Sequence, residues 1–317
     1  MTPRESIIEA LHLRRPEGLV PHCELEFQLS WELVGKEAVR ANHLENVTEA
    51  ERDRLLCENA EMWIQIADRF KWSVITGLHW LGIEDQVRSF KIIRDLVGDQ
   101  YMLSAFMDGT FSIPSGESMM QHVVWLTEQR DEAHTQAQAS VDGAIETARR
   151  LIGEGAEIVF MCADYCFNDG PFLSPRMFAE YVTPYLTRLV QGIQAAGGYA
   201  VKHTDGDLMP VLDQIVESGI DGLHSLDPMA GVDIAEVKRL YGDRICLFGN
   251  VNCALVQAGT FEQIEESARY CLQHGGVETG GYVFTTSNCI FKGVPLENYE
   301  CMLRVREEFC REVGVAV

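Results

Sequence analysis

Gly198–Asp227, GYAVKHTDGDLMPVLDQIVESGIDGLHSLD, reads as a strand, a polar turn, a helix and a second strand. The first strand is Tyr199–Asp205, the helix runs from about Leu208 to Ser218 with Gly219 as its stop, and the second strand is about Gly222–Leu226. A βαβ unit of this length implies parallel strands joined by a right-handed crossover. Residues at i and i+2 of a strand share a face, so His203 and Asp205 point together at the carboxyl end of the first strand. Ligands bind at that end in parallel α/β folds.

The same alternation extends in both directions. Candidate strands are Val20–Phe27, Trp72–Leu78, Tyr101–Asp108, Glu157–Asp164, Arg244–Asn250 and Gly281–Ser287, in addition to the two already named. Helical patterns separate most of them. Thr2-Pro3-Arg4-Glu5 and Thr260 with Gln263 have capping-box form, and Ser174-Pro175 and Asp233 read as helix starts. Eight strands alternating with helices over 317 residues predict an α/β (β/α)8 barrel. It is expected as a single domain over 1–317 with an N-terminal helical extension, because no linker or change of composition divides the chain. A doubly wound sheet would bring a glycine fingerprint after its first strand, and VPHCELEF is followed by none.

Composition narrows the function classes. Hydrophobic residues make up 46% and charged residues 23%, a soluble globular balance. The formal charge of −22 argues against nucleic acid, anionic membrane surfaces and polyanionic substrates. No apolar run reaches membrane-spanning length and MTPRESIIEALHL lacks signal-peptide character, so a cytoplasmic protein is expected. Ten scattered cysteines without a CxxC pair read as reduced thiols, with Cys162, Cys166, Cys246 and Cys271 in the core.

The strand ends gather polar residues while strand middles are apolar. Glu24, Glu26, His79, Asp108, His224 and Asn250 are the candidate substrate-binding groups, although His79 and His224 also suit a structural role. Asp164 ends the apolar strand EIVFMCAD, so it is expected to be buried and catalytic, with Asp205 beside it in that role. His203, Asp205 and Cys289 offer the nitrogen, oxygen and sulfur ligands that zinc accepts, and three protein ligands leave one position for chemistry.

At these residues the chain resembles the uroporphyrinogen decarboxylase-like superfamily. The resemblance lies in HTDG (His203–Gly206), ADYCFNDGPFLSPRMFAEYVTPYLTRLV (Ala163–Val190), LDPMAGVDIAEVKRLYGDRICLFGNVN (Leu226–Asn252) and SNCIFKGVPLENYECM (Ser287–Met302). TPRESIIEALHLRRPEGLVP is similar to the family opening. The family fold is a (β/α)8 barrel. Its activities are metal-free uroporphyrinogen decarboxylation and zinc-dependent methyl transfer to or from a corrinoid.

The decarboxylases carry an arginine-rich N-terminal motif, where this chain has VPHCELEFQLSW with two glutamates. The zinc methyltransferases use an HxC pair and a distant Cys. His203 and Cys289 match the first and last of these, and Asp205 replaces the middle one. The resemblance therefore implies a corrinoid-dependent methyltransferase of the O-demethylase methyltransferase I type. It would use Zn2+, a corrinoid (cobalamin) on a separate corrinoid protein, and a small methylated substrate such as an aryl methyl ether. Glu24 or Glu26 is an alternative third zinc ligand. A homodimer is compatible with the sequence. The alternatives are a metal-free decarboxylase and a non-catalytic ligand-binding paralogue.

Overall fold

The computed structural model describes residues 1–315. Seven parallel strands form one sheet in chain order: β1 (Val74–Ile75), β2 (Met102–Phe106), β3 (Ile158–Cys162), β4 (Tyr199–Thr204), β5 (Gly222–Ser225), β6 (Cys246–Val251) and β7 (Tyr282–Thr286). Every neighbouring pair is parallel and is separated in the chain by at least one helix, as the alternating pattern requires. Pro21–Phe27 joins the two edges of this sheet. Phe284 N donates to Pro21 O at 2.9 Å on the β7 side, and Ser73 N donates to His22 O at 2.6 Å on the β1 side. Further along, Ile290 N donates to Glu26 O at 3.0 Å and Thr76 Oγ1 to Glu24 O at 2.8 Å.

This segment is not the regular strand expected from VPHCELEF, for it makes only isolated bridges, His22 to Phe284 and Phe27 to Ile290. Without a continuous ladder the pleat is not enforced, and the alternate residues Cys23, Leu25 and Phe27 do not keep to one face. Cys23 and Leu25 join the inner core, whereas Phe27 packs with Phe70, Trp72 and Tyr299 on the outer side. The Trp72–Leu78 strand also shrinks to Val74–Ile75, because the chain turns into a 3₁₀ turn at Gly77–Trp80. Gly77 lies so close to the Trp63 indole that a Cβ there would sit 2.0 Å from a ring carbon.

The core has two parts. Val74, Met102, Ile158, Phe160, Val201, Cys246, Phe248 and Val283 fill the concave side of the sheet, and the N-terminal helix closes its lower end with Ile7, Ala10 and Leu11. That helix, Pro3–Leu11, is fixed by the expected capping box: Glu5 N donates to Thr2 Oγ1 at 3.1 Å and Thr2 N to Glu5 Oε2 at 2.7 Å. The larger part lies between strands and outer helices. The helix after β4 begins as a 3₁₀ turn over Met209–Val211 and becomes α-helical only at Leu212–Glu217, with Pro210 in the first turn. No described helix is long and apolar enough to cross a membrane.

Candidate active site at the strand ends

Asp164 follows β3 by two residues, His203 lies near the end of β4, and Asp205 follows directly. Each offers a ligand atom, and these atoms all lie within 4.8 Å of one another. His203 Nε2 is 3.9 Å from Asp164 Oδ1 and 3.9 Å from Asp205 Oδ1. That is beyond hydrogen-bond reach. Two ligand atoms each ~2.1 Å from one ion can be up to about 4.2 Å apart, so both 3.9 Å spacings from His203 are within the reach of one small divalent cation.

The surroundings hold Asp205 in place. Its Oδ1 accepts from Ser225 Oγ at 2.7 Å, its Oδ2 from Asn288 Nδ2 at 2.5 Å, and its own N–H donates to Asp164 Oδ1 at 3.1 Å. Gly206 then turns the chain with φ of +84°, and a Cβ there would lie 2.5 Å from the Cys166 carbonyl oxygen, so the HTDG glycine is required twice over. His203 Nδ1 is 2.8 Å from His224 Nδ1, because the two residues are in register on adjacent parallel strands. Burial pushes His203 toward its neutral, ligating form against the attraction of Asp205 and Asp164. Burial also raises the Asp205 carboxyl, opposed by His203 and the Ser225 hydrogen bond.

A second polar pair lies across the mouth. His79 Nε2 is 3.1 Å from Glu26 Oε1 and His79 Nδ1 is 2.9 Å from Thr76 O. The Thr76 carbonyl and the Glu26 carboxyl thus hold the imidazole from both of its nitrogens. The His79 ring stacks on Phe106 with centroids 4.0 Å apart, and Phe106 touches Phe160, whose edge meets His224. An aromatic floor thus links the two pairs. The hydrogen bond from His79 holds the Glu26 carboxyl below its usual range.

Other expected site residues are placed differently. Glu24 is fully buried behind the strands, where Oε2 accepts from Thr286 Oγ1 at 2.6 Å and Thr285 Oγ1 at 3.1 Å. Burial raises its pKa to about 8. Asp108 pairs with the buried Lys202 Nζ at 2.8 Å and caps its own loop through Gly109 N, Thr110 N and Thr110 Oγ1, leaving neither oxygen free. Asn250 Nδ2 donates to Leu226 O at 2.7 Å and its Oδ1 accepts from Cys271 Sγ at 3.2 Å, which ties β6 to its neighbours.

Asp164 is half exposed rather than buried, because the chain leaves the sheet before reaching it. Cys289 is buried, in the inner apolar cluster with Cys23 and Leu25, and is not one of the three converging groups. Burial raises its thiol well above the ordinary range. Cys162 was expected in the core, yet it is reachable from the mouth in register with His203. Cys166, Cys246 and Cys271 are buried as expected. Ser225 and Lys202 were not singled out in the sequence, because only the pairing of β4 with β3 and β5 shows what they touch.

The model of the family described as uroporphyrinogen decarboxylase (URO-D) matches residues 81–309. The chain belongs to the URO-D family. Among its curated relatives, methylcobamide:CoM methyltransferase MtaA of Methanosarcina barkeri is 24% identical over 70% of this chain and 63% of that protein. Uroporphyrinogen decarboxylase of Psychromonas ingrahamii is 29% identical over 52% of this chain and 45% of that protein. The chain thus spans between about half and two thirds of the length of these URO-D relatives. Among solved structures, a methyltransferase from Methanosarcina mazei covers 98% of this chain and 99% of its own, with a TM-score of 0.75 at 18% identity. A B12-independent methionine synthase from Shewanella sp. W3-18-1 covers 96% and 97%, with a TM-score of 0.55 at 12% identity. At such identities the likeness shows the fold alone.

Proposed function

We propose that this URO-D family chain is a metal-dependent methyltransferase that moves a methyl group between a small methylated substrate and a corrinoid carried by a partner protein. The observation that carries this reading is the convergence of Asp164, His203 and Asp205 within 4.8 Å. Two carboxylates aimed at a neutral imidazole nitrogen repel one another unless a cation lies between them. In this reading the three residues hold one zinc ion, the two carboxylates balance its charge, and a position is left open for substrate. Asp164 thus takes the place expected of Cys289. Methyltransferase relatives support the reaction class, while the decarboxylase relatives keep the metal-free alternative in view.

When bound, zinc supplies a Lewis acid toward the heteroatom that carries the methyl group. Ser225 and Asn288 hold Asp205 so that its oxygens keep one direction. His79 and Glu26, paired at 3.1 Å, are polar groups that can hydrogen-bond the departing heteroatom. Phe106 and Phe160 form an apolar floor that suits a methyl group or an aryl ether. The frame for this site is a single-domain (β/α)8 barrel in which Pro21–Phe27 takes the eighth place. Trp31, Phe167, Met229 and Phe291 are exposed large apolar side chains on segments that follow strand ends, a surface suited to the partner that carries the corrinoid.

The test is metal analysis of the purified chain followed by methyl transfer from free methylcobalamin to a small phenol or thiol as acceptor. About one zinc per chain is expected, with loss of transfer after chelation and in His203→Ala. A chain that binds no divalent ion overturns the reading. Decarboxylation of a carboxylated substrate by the metal-free chain would favour the alternative.

A further inference from the structure

The contact between His203 and His224 joins two imidazoles through the same kind of atom. Nδ1 faces Nδ1 at 2.8 Å, the rings are tilted by 49°, and both residues are buried. A hydrogen bond between two nitrogens needs one proton and one lone pair. Only two neutral arrangements exist. In one, His203 donates from Nδ1 and keeps the lone pair on Nε2. In the other, His224 donates and His203 carries its proton on Nε2.

The rest of the pocket distinguishes them. A proton on His203 Nε2 would have no hydrogen-bond acceptor, because the carboxylate oxygens of Asp164 and Asp205 stand 3.9 Å away. A lone pair there points into the gap between those carboxylates, which is the direction a cation requires. His224 Nε2 is buried and makes no hydrogen bond to a described residue, so the ring's one polar contact is the one to His203. If His203 gives the Nε2 lone pair to a cation, its one proton is on Nδ1, and His224 Nδ1 at 2.8 Å is the atom placed to accept it.

We infer that His224 is a positioning residue: it accepts the Nδ1 proton of His203 and so fixes the tautomer and ring direction that aim Nε2 between Asp164 and Asp205. The role rests on the metal reading of the trio. The register of β4 against β5 makes the contact obligatory, since His203 and His224 are paired residues on one face of the sheet. His203 therefore has its ring held before any ion arrives. Histidines that ligate metals commonly give their second N–H to such a partner, and losing it costs about tenfold to a hundredfold in affinity.

The experiment uses the full chain stripped of metal, with Co2+ as an optical probe in titrations of wild type, His224→Phe and His224→Asn. Asparagine can present an acceptor near the position of Nδ1, whereas phenylalanine keeps ring bulk and removes it. Wild type should develop visible Co2+ bands, His224→Phe should bind about tenfold to a hundredfold more weakly, and His224→Asn should recover most of the loss. Nitrogen-15 NMR of metal-free wild type should show His203 protonated at Nδ1. A His203 proton on Nε2, or equal Co2+ affinity for wild type and His224→Phe, overturns the role of His224 while leaving the metal site standing. Wild type that binds no Co2+ removes the metal reading and this role together. Circular dichroism of each variant separates weak binding from misfolding.

Discussion

Asn288 Nδ2 donates to Asp205 Oδ2 at 2.5 Å, joining the loop after β7 to the tip of β4. The last loop therefore enters the site through an amide and not through the neighbouring thiol of Cys289. Asn288→Ala should lower divalent-ion affinity by about tenfold or more by freeing one side of Asp205. Equilibrium dialysis with Zn2+ checks this, and unchanged affinity would mean that Asp205 needs no such brace.

Asp164 and Cys289 make opposite predictions. Cys289→Ala should leave metal affinity within about threefold, since its loss removes no ligand of the trio. Asp164→Asn should weaken binding by about tenfold or more, since it removes a negative oxygen donor. Titration of both variants against Zn2+ distinguishes the oxygen-rich trio from the thiolate set that the family resemblance implied.

Glu24 should make stability fall as pH rises. Its folded pKa of about 8 exceeds the usual glutamate value, so between those two pH values the folded chain holds a proton that the unfolded chain releases. The stability from this proton is fully present below the unfolded pKa and is lost as pH rises through the folded one. Glu24→Gln should remove this dependence, gaining on wild type by up to about 1.4 kcal/mol per pH unit across the window. Urea unfolding of both proteins at pH 5, 6.5 and 8 measures it; parallel curves would refute the assignment.

Lys202 is wholly buried, with Asp108, the carbonyls of Met161 and Ala163, and the Tyr165 ring around its ammonium. Lys202→Met should destabilise the chain by about 3–5 kcal/mol, because the Asp108 carboxylate is left buried without its partner. Adding Asp108→Asn should recover part of that loss. Denaturant midpoints of the single and double variants measure the coupling.

Much of the architecture was legible in the sequence because its signals are local. The βα alternation gave seven of the eight expected strands, and Thr2, Ser174, Asp233 and Thr260 cap helices where their side chains suggest. The eighth, Val20–Phe27, alternates like a strand but makes only isolated bridges, because its pairing depends on where two distant edges end. Glu24 and Glu26 look equivalent in sequence, yet one is sealed beneath Thr285 and Thr286 while the other meets His79 at the mouth.

The sequence by itself determined that polar groups would gather at the strand ends and that HTDG would stand at one of them, since periodicity fixes which residues share a face. Only the tertiary structure decided which of those polar groups meet. Asp164 joins His203 and Asp205, Asn288 supplants Cys289 beside Asp205, and His224 abuts His203. The reason is register: lateral pairing of parallel strands sets which side chains become neighbours, and it is settled by packing across the whole sheet rather than by any one segment.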